Sequence, residues 1–281
     1  MTATVYVVAN QKGGVAKTTT TVSLAAALTE RDQAVLVVDL DPQAALTFAL
    51  GYDPDGLPRT VHDVVTGRAD LVDVILQHPE TDLAPANIDL AGAEVALLAR
   101  TGREYVLRAQ LDPLRDTYDT ILIDCPPSLG VLTLNGLTAA DRVLVPLQCE
   151  TLSHRAVSQL LETIADVQRL TNRDLRVAGI VPTMYDARTR HARDVLADVR
   201  RRYGLPVFEP PVRKSVRFAE APNAGVSILA YDDSVPGAAA YRAVAATLAG
   251  LDVPERLLEA AGASPRRAPA PGGRPDGGGA R

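Results

Sequence analysis

The stretch KGGVAKTT occupies Lys12–Thr19 and is separated by two residues from the apolar run VYVVA at Val5–Ala9. The apolar run predicts a buried strand, and the alanine-rich segment Thr20–Leu28 predicts a helix. A glycine-bearing loop between a strand and a helix directs backbone N–H groups and the helix N-terminus toward one anion. The loop is therefore predicted to bind the phosphates of a nucleoside triphosphate.

Two residue types in this loop have specific expected roles. Lys17 would reach the β- and γ-phosphates, and the Thr18 hydroxyl would ligate Mg²⁺. The chain has three lysines against 26 arginines, and two of the three lie in this loop. A compact ammonium fits between phosphates where a planar guanidinium does not. The residues predicted to contact the nucleotide are Lys12, Gly13, Gly14, Val15, Ala16, Lys17, Thr18 and Thr19.

Three aspartates follow predicted strands. Asp124 ends the run TILID, where a carboxylate beside a phosphate loop commonly holds Mg²⁺ and its waters, the Walker B role. Asp39 and Asp41 lie in the segment VDLDPQ, at the end of another predicted strand. We expect all three carboxylates at the same edge of the sheet, where they would position the metal ion and an attacking water.

Strand-length apolar runs alternate with helical patterns along the chain. Besides the first run, the predicted strands are Ala34–Asp39, Thr120–Asp124, Val143–Leu147 and Val177–Val181, with short late strands at 207–208 and 227–229. The predicted helices are Thr18–Arg31, Ala93–Asp112, Ser153–Arg169, Ala192–Tyr203 and Gly237–Leu251. Continuous apolar strands separated by helices favour an α/β fold: a doubly wound, mainly parallel sheet with helices on both faces.

Composition and charge set further limits. With no signal-peptide pattern and no run of eighteen apolar residues, we expect a soluble cytoplasmic protein. Cys125 and Cys149 offer no metal-binding spacing and are interpreted as packing residues. The net charge is −5, but residues 186–218 hold nine Arg or Lys against four Asp or Glu. Such a basic cluster on an acidic body is compatible with nucleic-acid contact at one face.

The end of the chain has a different composition. After Ala263 the sequence reads SPRRAPAPGGRPDGGGAR, rich in Pro, Gly and Arg without apolar periodicity. Such a segment cannot bury enough surface to offset its chain entropy. We therefore predict one domain over 1–255 and a disordered tail over 256–281.

Motifs along roughly 250 residues resemble the ParA/MinD group of ATPases with a deviant Walker A loop, and in particular the short, Soj-type ParA proteins. These motifs are QKGGVAKTTT, VVDLDPQA, LAGAE, YDTILIDCPPSLG, ADRVLVPLQCE, PTMYDARTRHA and VRFAEAP. The resemblance implies ATP and Mg²⁺ as cofactors, with Lys12 crossing to the nucleotide of a second protomer. It further implies that Asp41 orients the hydrolytic water, that Asp39 lies near the magnesium, and that intrinsic turnover is slow.

The same resemblance implies the partners. An ATP-dependent homodimer would bind double-stranded DNA without sequence preference, and a ParB-type centromere-binding protein would stimulate hydrolysis, so that a chromosome or plasmid is segregated. The protein would then be associated with the nucleoid and not with a membrane. Arg188 and Arg217 match the family's DNA-contacting positions, and charge alone adds Arg190, Arg213 and Lys214.

The sequence departs from the family pattern at two places, and it is compatible with several alternative functions. Ala16 replaces a more usual glycine, and Arg213-Lys214-Ser215 replaces the Pro-Arg-Asn that helps to frame adenine in the family. A MinD-like membrane ATPase would need a C-terminal amphipathic helix, for which the segment 253–263 is the candidate. A nucleotide-binding scaffold without useful turnover, and an ATPase that positions another cargo, are also compatible with the motifs. Metal-insertion relatives would need cysteine pairs, and tyrosine-kinase relatives a C-terminal tyrosine cluster, neither of which the chain has.

Overall fold

Six parallel strands form one sheet at the centre of the molecule. A computed structural model of the chain describes residues 2–149, 153–186 and 188–263. The strands are β1 (Thr4–Val8), β2 (Val35–Asp39), β3 (Asp82–Ala84), β4 (Thr120–Asp124), β5 (Arg142–Gln148) and β6 (Arg176–Thr183). Their order is β3-β2-β4-β1-β5-β6, and every pairing is parallel. The predicted α/β fold with a mainly parallel sheet is therefore confirmed.

Helices connect the strands. They are α1 (Lys17–Thr29), α2 (Ala45–Ala49), α3 (Val61–Thr66), α4 (Leu90–Leu98), α5 (Val106–Leu111), α6 (Val131–Ala139), α7 (Ser153–Leu170), α8 (Arg190–Tyr203), α9 (Arg217–Glu220), α10 (Ile228–Tyr231), α11 (Pro236–Leu248) and α12 (Glu255–Ala260). β1 lies between β4 and β5, and the chain passes from one side of β1 to the other between those two strands. In open parallel sheets, ligands bind at the carboxyl ends of strands beside such a switch point.

Two separate apolar cores cover the two faces of the sheet. Because successive side chains of a strand point to opposite faces, Val5 and Val7 belong to one core and Tyr6 and Val8 to the other. The first core contains side chains of α3 to α8, and the second contains those of α1, α2, α10 and α11. Both faces are therefore sealed, which explains why the strand sequences read as continuous apolar runs.

Most predicted elements are present within a few residues, but one predicted helix is wrong. The segment predicted as one helix, Ala93–Asp112, forms α4 and α5 with a short 3₁₀ turn between them. The buried Asn135 side chain on α6 fixes this break, because its Nδ2 donates to the Arg103 carbonyl at 2.7 Å and its Oδ1 accepts from the Leu107 amide at 3.1 Å. These contacts come from a distant segment, so local periodicity does not reveal them.

The late strands also differ from the prediction. Residues 227–229 do not form a strand: the Ser227 hydroxyl accepts hydrogen bonds from the amides of Leu229 and Ala230 and caps α10. Val207 makes only an isolated parallel bridge with Ile180. Strand β3 was not predicted, and neither were the helices α2, α3, α6, α9 and α10. A Thr60–Asp63 capping box begins α3 and is readable in the sequence.

The described structure continues beyond residue 255, the predicted domain boundary. Helix α12 packs on the second core through the partly buried Leu257, and Ala261 is only 2% exposed. Of the predicted tail, residues 264–281 lie outside the described residues.

A close backbone contact between Gly51 and Gly225 joins the end of α2 to the segment before α10. Gly225 has a φ of +68°, and a Cβ built on it would lie 2.8 Å from the Gly51 Cα. Gly225→Ala should lower the free energy of unfolding by about 2–4 kcal/mol, the sum of a left-handed backbone cost and overpacking. Urea unfolding of the full chain measures this loss.

Gly250→Ala is the matched control, since Gly250 has a φ of +71° with no atom within 4 Å of its built Cβ. It should lose only the backbone part, about 1–2 kcal/mol. Equal losses in the two variants would mean that the Gly51–Gly225 contact does not limit stability.

Candidate functional site

The loop between β1 and α1 leaves the N-terminus of α1 open to an anion. Ala16 is the N-cap residue of this thirteen-residue helix, makes no side-chain capping bond, and is followed by no acidic residue in the first turn. The first amides of a helix have no partner within it, and they carry the positive end of the helix dipole. The predicted phosphate loop is therefore built as an anion site.

Ala16 has a left-handed backbone, with a φ of 66° and a ψ of 39°. This conformation suits glycine, and for alanine it costs about 1–2 kcal/mol. The surrounding structure holds the loop in place: Val15 is buried, and its carbonyl accepts a hydrogen bond from the Thr183 hydroxyl on β6 at 2.9 Å. The departure noted in the sequence is thus accommodated by neighbouring contacts.

The two loop lysines have different surroundings. Lys17 is 7% exposed, and its Nζ is 3.5 Å from the Lys12 carbonyl oxygen. Burial lowers the pKa of Lys17, while the nearby Asp124 and Asp41 carboxylates oppose this shift. Lys12 is partly exposed, and its Nζ is 3.4 Å from Oε1 of Gln148 at the end of β5.

Asp39 and Asp124 end neighbouring strands and lie side by side, since they are register partners in the β2–β4 pairing. The Thr18 hydroxyl donates to Oδ2 of Asp124 at 2.6 Å, and the Thr21 hydroxyl is 3.4 Å from its Oδ1. Burial, followed by the charge of Asp39, raises the pKa of Asp124 to about 8. Thr18 and Asp124 are thus brought together as the sequence predicted.

Asp39 is fully buried, and burial raises its pKa to about 6. Its Oδ2 accepts hydrogen bonds from the amide and the hydroxyl of Thr47, at 2.9 and 2.8 Å, and its Oδ1 accepts one from the Asp41 amide at 3.2 Å. Asp39 therefore lies beside Asp124, and its hydrogen bond with the Asp41 amide positions the chain that carries Asp41. Asp41 itself is partly exposed and accepts from the Gln43 amide.

Sequence reasoning missed two buried polar residues that shape this site. Thr47 holds Asp39, and its hydroxyl also accepts from the Ala86 amide at 2.9 Å. Asn10 joins the loop to β5, because its Nδ2 donates to the Pro146 carbonyl at 2.7 Å and its Oδ1 accepts from the Lys12 amide. Thr47 lies inside an apolar run and Asn10 directly follows one. A polar residue in such a place is the sequence signal that could have revealed them, since polar groups are buried only when they are hydrogen-bonded.

The donor set fits a magnesium ion that arrives with a nucleotide. Within the described ranges, no three His, Cys, Asp or Glu residues are grouped so that they could hold a metal by themselves. Mg²⁺ prefers one or two protein oxygens together with phosphates and waters. The Thr18 hydroxyl and the Asp124 carboxylate supply such oxygens beside the open helix N-terminus.

A cavity of about 420 Å³ adjoins the phosphate loop. Ala16 and Thr19 line one side, residues 212–216 and 218–219 line another, and Tyr241 closes the space. Tyr241 is buried, its hydroxyl is 3.0 Å from that of Thr20, and its ring meets Phe218 edge-on. The segment Arg213-Lys214-Ser215, which departs from the family pattern, therefore borders this cavity beside the phosphate loop.

Each arginine predicted to contact DNA has a partner within the chain. Arg188 is 90% exposed, and its guanidinium donates two hydrogen bonds to Asp186, at 3.0 and 2.8 Å. The other pairs are Arg190 with Asp194 at 3.6 Å, Arg217 with Glu220 at 2.9 Å and Asp232 at 3.4 Å, and Arg213 with the Gly262 carbonyl. Two of these partners, Glu220 and Asp232, lie outside residues 186–218, so the positive charge near Arg217 is smaller than the count over that range suggests.

The structure joins part of the predicted basic surface. Tyr185 and Arg213 form a parallel bridge, and the Lys214 amide is 3.4 Å from the Tyr185 carbonyl oxygen. The turn that carries Arg188 thus lies beside the segment 213–214. Arg190 and Arg217 begin α8 and α9 and follow these two segments in the chain.

Asp124→Asn should stabilise the nucleotide-free protein, and increasingly so as the pH rises. The pKa of Asp124 is about 8 in the folded protein, against an ordinary value of 3.8. Between these two pH values the carboxyl ionises in the unfolded chain but stays protonated in the folded one, so the free energy of unfolding falls as the pH rises. The variant cannot ionise, but it keeps an acceptor for the Thr18 hydroxyl. Thermal unfolding should show a gap between the two proteins that widens through this pH window.

The exposed Asp116→Asn serves as the control, since it removes the same charge without affecting a buried group. The difference in melting temperature between this variant and the unmodified chain should not change with pH. A gap for Asp124→Asn that is independent of pH would contradict the account of the buried carboxylate.

Comparison with known proteins identifies relatives over most of the chain. Residues 3–177 match the family model described as an AAA domain. The sporulation initiation inhibitor protein Soj of Bacillus subtilis is 41% identical over 239 residues, which cover 84% of this chain and 94% of the relative. The chromosome partitioning protein ParA of Myxococcus xanthus is 41% identical over 264 residues, covering 92% and 90%.

Solved structures share the same fold. A Mycobacterium smegmatis protein named cobyrinic acid a,c-diamide synthase, solved with a bound ATP analogue and magnesium, is 52% identical with a TM-score of 0.78, covering 90% of this chain and 98% of that one. The cell division ATPase MinD of Pyrococcus furiosus is 26% identical with a TM-score of 0.70, covering 88% and 99%. The fold, the phosphate loop and these relatives together show that the chain belongs to the AAA domain family and, within it, to the ParA/Soj-type partitioning ATPases.

Proposed function

We propose that this protein is an ATP-dependent dimer switch that binds DNA without sequence preference and releases it after hydrolysis, to segregate a chromosome or plasmid. The observation that carries the proposal is the uncapped N-terminus of α1, with Thr18 in contact with Asp124. The open amides would hold a triphosphate, and Thr18 and Asp124 would hold the Mg²⁺ that comes with it. The bound ATP analogue and magnesium of the 52% identical neighbour support this cofactor pair.

Hydrolysis in this proposal depends on positioning and charge. Lys17 would neutralise phosphate oxygens, and Asp41 would orient the attacking water from its partly exposed position after β2. A magnesium ion held by Thr18 and Asp124 would supply further electrostatic stabilisation. Lys12 would leave Gln148 and reach the nucleotide of the second protomer, which makes dimerisation depend on ATP. We expect intrinsic turnover to be slow, and a ParB-type partner would accelerate it.

DNA contact would come from the surface formed by the turn at 185–188 and the segment 213–217. Phosphate contacts give affinity that falls with salt and carries little sequence information. Dimerisation would join two such surfaces and so raise affinity through avidity. Residues 213–216 also line the cavity beside the phosphate loop, so binding of a nucleotide there would affect the DNA-contacting surface.

The MinD-like alternative finds less support. In the described part of the chain, no helix combines the length and apolarity that a membrane crossing requires. Helix α12, the candidate for a surface-binding helix, directs Leu257 into the second core and exposes Glu255 and Glu259. An amphipathic anchor needs an exposed apolar face with basic flanks.

The name of the Mycobacterium smegmatis neighbour, cobyrinic acid a,c-diamide synthase, suggests a second activity. The surroundings of the two cysteines argue against it. Release of ammonia from glutamine by a cysteine nucleophile needs a reactive, accessible thiolate. Both thiols are buried: burial raises the pKa of Cys149 to about 12, and burial followed by the charge of Asp124 raises that of Cys125 further. Nucleotide turnover that responds to cobyrinic acid and not to DNA would favour this activity instead.

Asp41→Ala tests the assigned water-orienting role. The variant should still bind ATP and dimerise, but it should remain on random-sequence duplex DNA because the γ-phosphate is not removed. Dissociation from DNA after removal of free ATP, followed in real time, should slow at least about tenfold, as expected for the loss of one positioning group. Release at the unmodified rate would contradict the role of Asp41.

The ion pair of Asp186 and Arg188 permits a test with two variants that should change DNA affinity in opposite directions. Arg188→Gln should weaken ATP-dependent DNA binding several-fold and flatten its salt dependence by about 0.9 per contact. Asp186→Asn should strengthen binding, since it releases the exposed guanidinium. Titration of a labelled random duplex at several salt concentrations measures both effects.

A merely structural role for the pair would make both variants change binding in the same direction. The control Asp166→Asn breaks a similar exposed pair, with Arg169 on α7, at 2.8 Å. It removes the same negative charge and should leave DNA binding within about twofold, because isolated surface pairs contribute little.

A further inference from the structure

The phosphate loop extends over the end of β5 to contact β6. In the sheet, β5 lies between β1, which the loop follows, and β6, the last strand. Asn10 ties the start of the loop to β5, because its Nδ2 donates to the Pro146 carbonyl. Thr183 ties the far end of the loop to β6, because its hydroxyl donates to the Val15 carbonyl at 2.9 Å. Thr183 is the last residue of β6 and is 1% exposed.

The Val15 carbonyl belongs to the same peptide unit as the Ala16 amide. The first hydrogen bond inside α1 runs from the Thr20 amide to the Ala16 carbonyl at 2.9 Å. The amides of residues 16–19 therefore have no acceptor within the helix, and they are the amides that the site offers to an anion. In a planar trans peptide the C=O and the N–H point in opposite directions. A donor that holds the Val15 oxygen therefore fixes the direction of the Ala16 N–H.

Thr183 thus acts on the phosphate site from behind the loop. Its hydroxyl occupies the carbonyl side of the peptide, which leaves the Ala16 N–H on the opposite side for a phosphate oxygen. A hydrogen bond to the carbonyl also polarises the peptide and strengthens its N–H as a donor. Ala16 depends on such contacts, since its φ of 66° is left-handed and a strained backbone persists only where the surroundings impose it.

Thr183 also lies within the backbone that carries the predicted DNA-binding residues. On one side of it, the Pro182 carbonyl accepts a hydrogen bond from the Val212 amide at 2.8 Å. On the other side, the Tyr185 amide donates to the Val212 carbonyl at 2.9 Å. These bonds join the two segments of the proposed DNA-binding surface to each other and to the end of β6.

A single residue, Met184, separates Thr183 from Tyr185. Its backbone is left-handed as well, with a φ of 49°, and it lines the cavity beside the phosphate loop together with Ala16. Both of its neighbours are held by hydrogen bonds, one to the loop and one to Val212. A shift of Thr183 therefore reaches the DNA-binding surface through one constrained residue.

We propose that Thr183 is a positioning residue that couples phosphate binding to DNA binding. This inference rests on the proposed function. The Thr183 hydroxyl directs the Ala16 amide toward the phosphates, and a phosphate on that amide fixes the end of β6 and with it the two segments that meet DNA. Coupling between two sites is reciprocal, so DNA strengthens nucleotide binding through the same hydroxyl by the same factor.

Thr183→Val removes the hydroxyl and keeps the shape of the side chain. The full chain should then bind inorganic triphosphate with Mg²⁺ at least about fivefold more weakly, because an amide–phosphate hydrogen bond is misdirected. A non-hydrolysable ATP analogue should lose the same factor, and Thr183→Ser should restore both affinities. Competition with a fluorescent nucleotide measures them. A loss for the ATP analogue alone would place Thr183 at the base and overturn its action on Ala16.

Thr81→Val is the matched control. The Thr81 hydroxyl is also buried and donates to the Val35 carbonyl at 3.0 Å, at the start of β2 and so at the opposite edge of the sheet. Its loss should lower the melting temperature in the same way but leave both affinities within about twofold. Equal losses of affinity in the two variants would assign the effect to lowered stability and overturn the proposal.

The coupling is measured from DNA binding in two nucleotide states. Without nucleotide, Thr183→Val and the unmodified chain should bind a random-sequence duplex equally. At a saturating concentration of the ATP analogue, the variant should still dimerise in sedimentation but bind the duplex at least about threefold more weakly. The gain in analogue affinity that saturating DNA produces should shrink by the same factor.

The results separate this inference from the proposed function. An unmodified chain that ignores DNA in every nucleotide state would reject the proposed function itself. An unmodified chain whose DNA affinity rises with the analogue, beside a Thr183→Val variant with the same rise, would reject the coupling alone. Weaker DNA binding by the variant in both nucleotide states, or loss of its dimerisation, would assign Thr183 a purely structural role and likewise reject the coupling.

Discussion

Two carboxylates buried next to each other at the carboxyl ends of β2 and β4 are the constraint on which the site depends. Asp39 and Asp124 lie in register, and burial raises the pKa of both. Removing such groups from water is costly unless a cation or hydrogen-bond donors compensate. Thr47, Thr18 and Lys17 supply part of the compensation from the protein. A divalent ion would supply the rest, and its binding would displace protons.

The same arrangement explains why the phosphate loop is shaped as it is. The helix N-terminus, Lys17 and the carboxylates meet at one edge because β1 lies between β4 and β5 in an all-parallel sheet. Ala16 closes the turn in a left-handed conformation that its neighbours stabilise. The loop thus keeps a strained backbone at Ala16 while it leaves amides open to an anion, and backbone strain of this kind is common at functional sites.

Most of the fold and the centre of the site could be predicted because their signals are local. Apolar runs revealed β1, β2, β4, β5 and β6, and the loop motif together with the aspartates that end two strands predicted the candidate nucleotide site. What the sequence did not reveal depends on contacts between distant residues. Asn135 breaks the predicted long helix, Ser227 caps a helix where a strand was expected, and Thr47 holds Asp39.

The basic residues show the same limit. Their number and spacing suggested a positive face, but the carboxylates that pair with them and the attachment of Arg213 to Gly262 appear only in three dimensions. A count over residues 186–218 left out Glu220 and Asp232, which pair with Arg217, and it did not reveal the attachment of Arg213 to Gly262. Pairing decides how much of a nominal charge is available to a partner.

Gly262 also has a consequence for how the chain can vary. Its backbone has a φ of +72°, and its carbonyl accepts a hydrogen bond from the guanidinium of Arg213, 49 positions earlier in the chain. A side chain at position 262 would displace that guanidinium, so the residue present at 262 restricts which residue is tolerated at 213. The two positions would therefore vary together across related sequences and not independently.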